Sequence, residues 1–91
     1  MLSLDDFSGR VGKDFEVPFS DGSLFLRLTA AEALPHGVRE GGPFRLELLG
    51  PQHPVLPQAI YLLREGGRDF EIFIVPTASD AGGTRYEAIF T

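Results

Sequence analysis

Two histidines, six aspartates and seven glutamates are the side chains of this 91-residue chain that could hold a metal or move a proton. His36 and His53 both fall in stretches rich in proline and glycine. A zinc site takes three or four ligands at characteristic local spacing. The chain has neither a cysteine nor a His-x-x-x-His pair, so solvated loop histidines are expected. The Asp-Thr/Ser-Gly triplet of an aspartic protease is absent, and Asp21-Gly22 and Asp80 with Gly82-Gly83 read as turn chemistry. Glycoside hydrolysis needs two carboxyl groups flanking one bond. Glu16, Glu47, Glu65, Glu71 and Glu87 instead fall where the outer face of a strand would put them. Gly41-Gly42, Gly66-Gly67 and Gly82-Gly83 cradle no phosphate, because none leads from a strand into a helix through Lys-Ser/Thr. The order of residues shows no Ser-His-Asp arrangement, and Tyr61 and Tyr86 are expected as core aromatics with the hydroxyl at the rim. The chemistry therefore predicts no catalytic residue, no metal and no cofactor.

Composition narrows the classes further. The net charge is −5, with Lys13 the single lysine beside seven arginines. Nucleic-acid binding needs a basic footprint to displace counterions from phosphate, and no basic run is present. The same balance argues against an anionic membrane surface, and no window approaches a membrane span. The start, Met1-Leu2-Ser3-Leu4-Asp5-Asp6, is acidic and unlike a signal peptide. A cytoplasmic product is expected when the chain is made. The length predicts one domain over 1–91. A chain this short buries only about 60–65% of its unfolded surface, so an additional buried interface would be useful to it. Eleven glycines and seven prolines at short intervals favour strands and turns over long helices.

The element that must position everything else is Ala59–Val75, which reads as a β-hairpin. Gly66-Gly67 supplies the positive φ angles of a primed two-residue turn. That turn sets Glu65 opposite Arg68, Arg64 opposite Asp69, Leu63 opposite Phe70 and Tyr61 opposite Ile72. Opposite charges meet near the turn and apolar side chains beyond it, and a slip of one residue would lose both matches.

Around this ribbon the chain predicts a short helix over 3–10 and strands over about 14–19, 24–33, 44–49, 59–65, 68–75 and 85–90. Ser3 and Asp6 suit a capping box, and Leu4, Phe7 and Val11 share a helical face, so the helix should lie as a lid over one end of a β core. The second hairpin, Asp14 to Thr29, is placed with Asp21-Gly22 at its tip. Phe19 then faces Leu24, Val17 faces Leu26, Phe15 faces Leu28 and Glu16 faces Arg27. Pro18 cannot donate to a ladder, so a four-residue loop from Ser20 to Ser23 is favoured, with Pro18 at an edge or bulge. The second strand should run on through Ala30–Ala33, bent by a bulge, into a loop over Pro35–Gly42. Phe44, Leu46 and Leu48 point inward. Gly50 to Gln58 is an extended, partly polyproline-like connection. Pro76 should end the fifth strand, with a turn over Ser79–Gly83, and Tyr86, Ala88 and Phe90 should share one side of the last. The fold class expected is all-β: a six-stranded antiparallel meander forming a small barrel or a two-sheet sandwich. Closure would pair the last strand near the first.

The central hairpin is apolar on both sides. Tyr61, Leu63, Phe70, Ile72 and Ile74 share one face; Ile60, Leu62, Phe73 and Val75 share the other, where a one-sided antiparallel sheet should be polar. The cover is either internal (the helix or the proline-rich segment) or another protein chain. Large exposed apolar patches mark interfaces, so the partner-binding candidates are Ile60, Leu62, Phe73 and Val75, with Val55 and Leu56 beside them.

Leu4-x-x-Phe7 with Val11-Gly12-x-x-Phe15, then Phe44-x-Leu46, Gly50-Pro51, Leu56-Pro57-Gln58-x-x-Tyr61, Phe73-Ile74-Val75-Pro76 and Tyr86-Glu87-Ala88-Ile89-Phe90 resemble a family of small uncharacterised bacterial proteins. The resemblance spans nearly the whole chain, on apolar and turn residues. It implies a role accessory to phage-tail-collar-like fibre proteins, beside which such proteins are encoded, and brings no catalytic residues. It also raises later incorporation into an extracellular or phage-like assembly. The function expected is a non-enzymatic protein-binding or assembly module, its partner another protein chain or a second copy. A small-ligand or carbohydrate-binding barrel is the alternative, and an enzyme using carboxylates the third reading.

Overall fold

The computed structural model describes residues 2–37 and 41–91. The elements are α1 (Asp5–Ser8), β1 (Asp14–Phe19), β2 (Gly22–Ala33), β3 (Phe44–Gly50), β4 (Ala59–Glu65), β5 (Arg68–Asp80) and β6 (Gly83–Phe90). Six antiparallel strands close into a barrel in the order β1-β2-β3-β6-β5-β4. Period-two alternation turns Phe15, Val17, Leu26, Leu28, Phe44, Leu46, Leu48, Leu63, Phe70, Ile72, Ile74, Tyr86 and Ala88 inward, all at most 1% exposed. These side chains fill the barrel.

The all-β class, the barrel and the short N-terminal helix are as expected. The order departs from a single meander at one connection. Residues 51–58 carry the chain from β3 past β6 and β5, so that β4 comes to lie beside β1 and β6 beside β3. Closure therefore runs through β1–β4, in place of the last strand pairing near the first. Leu56 anchors this crossing. It drops into the core, 6% exposed, while its backbone N–H donates to the buried Tyr86 Oη at 2.8 Å. A buried hydroxyl and a buried amide thus satisfy each other and fasten the connection across the end of the barrel.

The central hairpin has the expected register at every pair, Glu65↔Arg68 through Ala59↔Ile74. Gly66 and Gly67 take φ of 61° and 79°, the primed-turn conformation that favours glycine. In β1–β2 the tip is Ser20-Asp21, one residue earlier than expected, and no four-residue loop forms. The partners are Phe19↔Gly22, Val17↔Leu24, Phe15↔Leu26 and Asp14↔Arg27. Each predicted pairing thus moves by two residues, which preserves every side chain's face. Proline explains the choice. The Leu28 N–H donates to the Lys13 carbonyl at 3.0 Å, so odd-numbered β1 residues bond to β2 and Pro18 needs no N–H on that side.

Other limits shift for local reasons. The helix is one turn, Asp5–Ser8, and Val11 is 46% exposed instead of sharing a buried face with Phe7. Ser3 contributes half a capping box: its N–H donates to Asp6 Oδ2 at 2.8 Å. Pro76 does not end β5; a register shift between Pro76 and Ala78 accommodates it, and the strand runs on to Asp80. The β5–β6 turn is Ala81-Gly82, and β6 starts at Gly83. β2 reaches back to Gly22, bulges between Leu28 and Ala30 as expected, and β3 gains Gly50. The centre of the expected Pro35–Gly42 loop, residues 38–40, lies outside the described residues.

The helix does act as a lid. Phe7, fully buried, sits 5.0–6.4 Å from the rings of Phe70, Phe44, Phe90 and Phe15, separations at which aromatic pairs attract beyond their buried area. The lid's polar side is held to the central hairpin. Glu65 and Arg68 face each other in the ladder, yet each bonds outward: Arg10 Nε donates to Glu65 at 2.6 Å, and Arg68 to Asp6 at 2.8 Å. Both guanidinium groups also lie over the Phe70 ring, at 5.3 and 4.7 Å.

Candidate docking face

The outer side of β4 and β5 follows from the same register that builds the core. With Leu63, Phe70, Ile72 and Ile74 inside, Ile60, Leu62, Phe73 and Val75 must point out. Ile60 is 66% exposed and Phe73 51%, and the two are direct cross-strand partners. Leu62, opposite Glu71, and Val75, opposite Glu87, are half-buried. Neither the helix nor the proline-rich segment covers Ile60 and Phe73. Continuing the β5–β6 register two residues past Val75↔Glu87 brings Ile89, 49% exposed, level with Phe73. Sequence reasoning left Ile89 out; the signal available was an apolar residue at an outward position of the last strand. The result is an apolar row of Ile60 and Phe73 across β4 and β5, with Ile89 exposed on β6 beyond the last β5–β6 pair, Val75↔Glu87.

Of the two candidates from the proline-rich segment, Val55 is exposed and Leu56 is not. Leu56 belongs to the core and to the Tyr86 hydrogen bond, so it leaves the docking face. The same constraint sets the geometry of the segment: Tyr61 Oη donates to the Pro57 carbonyl at 2.7 Å, and burial pushes the Tyr61 hydroxyl up from its ordinary value.

The charged groups flanking the row are mostly committed to partners. Arg64 Nε donates to Asp69 at 2.7 Å, the expected cross-strand pair, which holds the Asp69 carboxyl below the usual range. Arg45 bonds to Glu32 and, at 3.1 Å, to Glu87. Burial works to lower its pKa, and these carboxylates outweigh that and raise it. The expected Glu16–Arg27 pair does not form: Arg27 bonds to Asp14 at 3.1 Å, and Glu16 lies 4.0 Å from Arg64. Glu71 has no ion pair among the described residues. His36 and His53 lie exposed in their loops, and among the described residues no three His, Cys, Asp or Glu side chains are placed to hold a metal ion.

One stretch of backbone completes the site. The Gly66-Gly67 turn makes Glu65 and Arg68 a hydrogen-bonded pair, so Leu63 and Tyr61 turn their backbone groups to β5. Arg64, Leu62 and Ile60 turn theirs to β1. Only one pair joins β1 and β4, Glu16↔Arg64. The next would set Leu62 against Pro18, which has no N–H to give its carbonyl.

No curated protein and no solved structure matches this chain. A family model does, over residues 2–90. That match spans the lid, the crossing segment and all six strands, and it places the chain in the family described as Domain of unknown function (DUF6916).

Proposed function

We propose that this protein is a non-enzymatic docking module that binds another protein through the outer side of β4 and β5. The observation that carries the reading is the pairing of Ile60 and Phe73, both more than half exposed, in a ribbon whose seven pairs keep one register. Evolving a rigid two-stranded platform and leaving its large apolar side chains in water is costly for solubility unless something covers them. The filled interior supports an external site over a lumenal one, since a ligand-binding barrel keeps an unfilled cavity. The contact residues in this reading are Ile60, Leu62, Phe73, Val75 and Ile89, with Val55 at the margin. The resemblance drawn from the sequence adds the finer reading that the partner is a phage-tail-like fibre or filament, to which this domain is an accessory.

The test compares tagged wild type, Phe73→Glu and Glu47→Ala as baits in the native host. The expected result is a protein retained by wild type and by Glu47→Ala and lost with Phe73→Glu, while circular dichroism of all three is unchanged. An identical set of retained proteins for all three baits would contradict it.

A further inference from the structure

From the geometry of the β1–β4 seam we infer that the partner is engaged by strand addition. An extended segment of another protein, apolar at alternate positions and carrying positive charge, pairs its backbone with the edge of β4 at Ala59–Leu62. This deepens the docking reading and rests on it. The seam is the weakest junction of the barrel, with one bonded pair where every other neighbouring pair of strands shares at least five. Its weakness has a named cause. Proline at position 18 stops the ladder at the first step beyond Glu16↔Arg64. Past that step the β1–β2 turn begins at Ser20, so nothing continues the ladder toward Ile60.

What remains is about 13 Å of strand edge over four residues. Its carbonyl at Leu62 and its amide and carbonyl at Ile60 face the seam. Such groups form a template for another extended backbone. A helix or a flat apolar surface offers no free N–H and C=O in that spacing, so the edge selects strand over helix.

The side chains select further. Those of Ile60 and Leu62 point outward from this edge, with Phe73 behind Ile60. Apolar residues at alternate positions of the incoming strand would pack beside them as cross-strand neighbours. Glu71 stands opposite Leu62, exposed and without an ion pair among the described residues, and Asp21 is exposed in the adjacent turn. With the chain's net charge of −5, these outer-face carboxylates favour lysine or arginine on the same face of the incoming strand, flanking its apolar positions.

The probe is the nine-residue peptide Lys-Thr-Val-Thr-Val-Thr-Val-Thr-Lys, acetylated and amidated, whose valines and lysines share one face of an extended strand; it is titrated into the ¹⁵N-labelled full chain. Strand addition predicts saturable shifts centred on Ile60 and its β4 neighbours. It also predicts at least tenfold weaker binding for the same peptide with its backbone amides N-methylated. Pro18→Val supplies a second arm. A valine N–H can bond to the Leu62 carbonyl and extend the barrel's own ladder, so the amide of residue 18 should become slow to exchange and peptide binding should fall at least tenfold.

Binding that survives N-methylation but is lost with Phe73→Glu would overturn strand addition while leaving the outer-face docking reading in place. No shift with either peptide at millimolar concentration would also overturn strand addition. The N-methylated arm uses wild-type protein, so the test stands even if Pro18→Val does not fold.

Discussion

Tyr86 shows how much one polar atom can organise. It is wholly buried, and its hydroxyl accepts the amide of Leu56, a residue thirty positions away in the chain. Tyr86→Phe keeps the ring and strands a buried N–H, so it should lower stability by about 1–3 kcal/mol, read as a shift in urea midpoint at unchanged slope. Asp6 makes a second residue-scale prediction. The Ser3 N–H, and after it the Arg68 guanidinium, hold its carboxyl below the usual range. A group with a depressed folded pKa stabilises above its unfolded value, and that stabilisation is lost as pH falls through the folded one. Stability should therefore drop below about pH 4, and Asp6→Asn should show a shallower acid loss because it lacks the titrating group. At this scale the sequence disclosed residue types well and partners poorly. The Arg64–Asp69 pair was legible because both residues lie in one ribbon. The exchange of Glu65 and Arg68 for Arg10 and Asp6 depends on where the helix comes to rest.

At the scale of elements, turn chemistry decides how much can be read. Two adjacent glycines allow one tight solution, and the central hairpin follows from it pair by pair. In the first hairpin Ser20, Asp21 and Gly22 are all turn formers, so local preference does not separate a tip at 20–21 from one at 21–22. The ladder separates them, because the earlier tip puts Pro18 where no N–H is needed by β2. Periodicity still recovered the buried face of both strands, since a shift of two in pairing leaves facing intact. The β5–β6 hairpin carries its own test. Gly83 has φ of 122°, and a Cβ there would collide with the Gly50 carbonyl oxygen. Gly83→Ala should therefore destabilise by more than the ~1 kcal/mol typical of strained backbone positions, measured by thermal unfolding, with the register of β4–β5 unaffected.

For the whole molecule, the barrel is sealed at one end by Phe7 and crossed at the other by Leu56. Phe7→Ala removes a ring surrounded by four others and should cost about 3–5 kcal/mol, a large share of what a 91-residue chain holds in reserve. The six strands and their antiparallel pairing were readable from alternation. Their order was not, because the pairing of β3 with β6 and of β4 with β1 is settled by a crossing segment whose sequence, three prolines in seven residues, indicates extension and not destination. The same order creates the candidate site. It sets Pro18 beside Leu62, leaves β4 with an unfinished edge, and turns Ile60 and Phe73 to solvent beside it.

Amide hydrogen exchange of the free protein reads that unfinished edge directly. Ile60 should exchange orders of magnitude faster than Tyr61 and Leu63, its neighbours bonded to β5. Equal, slow exchange at Ile60, Tyr61 and Leu63 would mean that β4 is closed on both sides, and the docking face described here would have no backbone to offer.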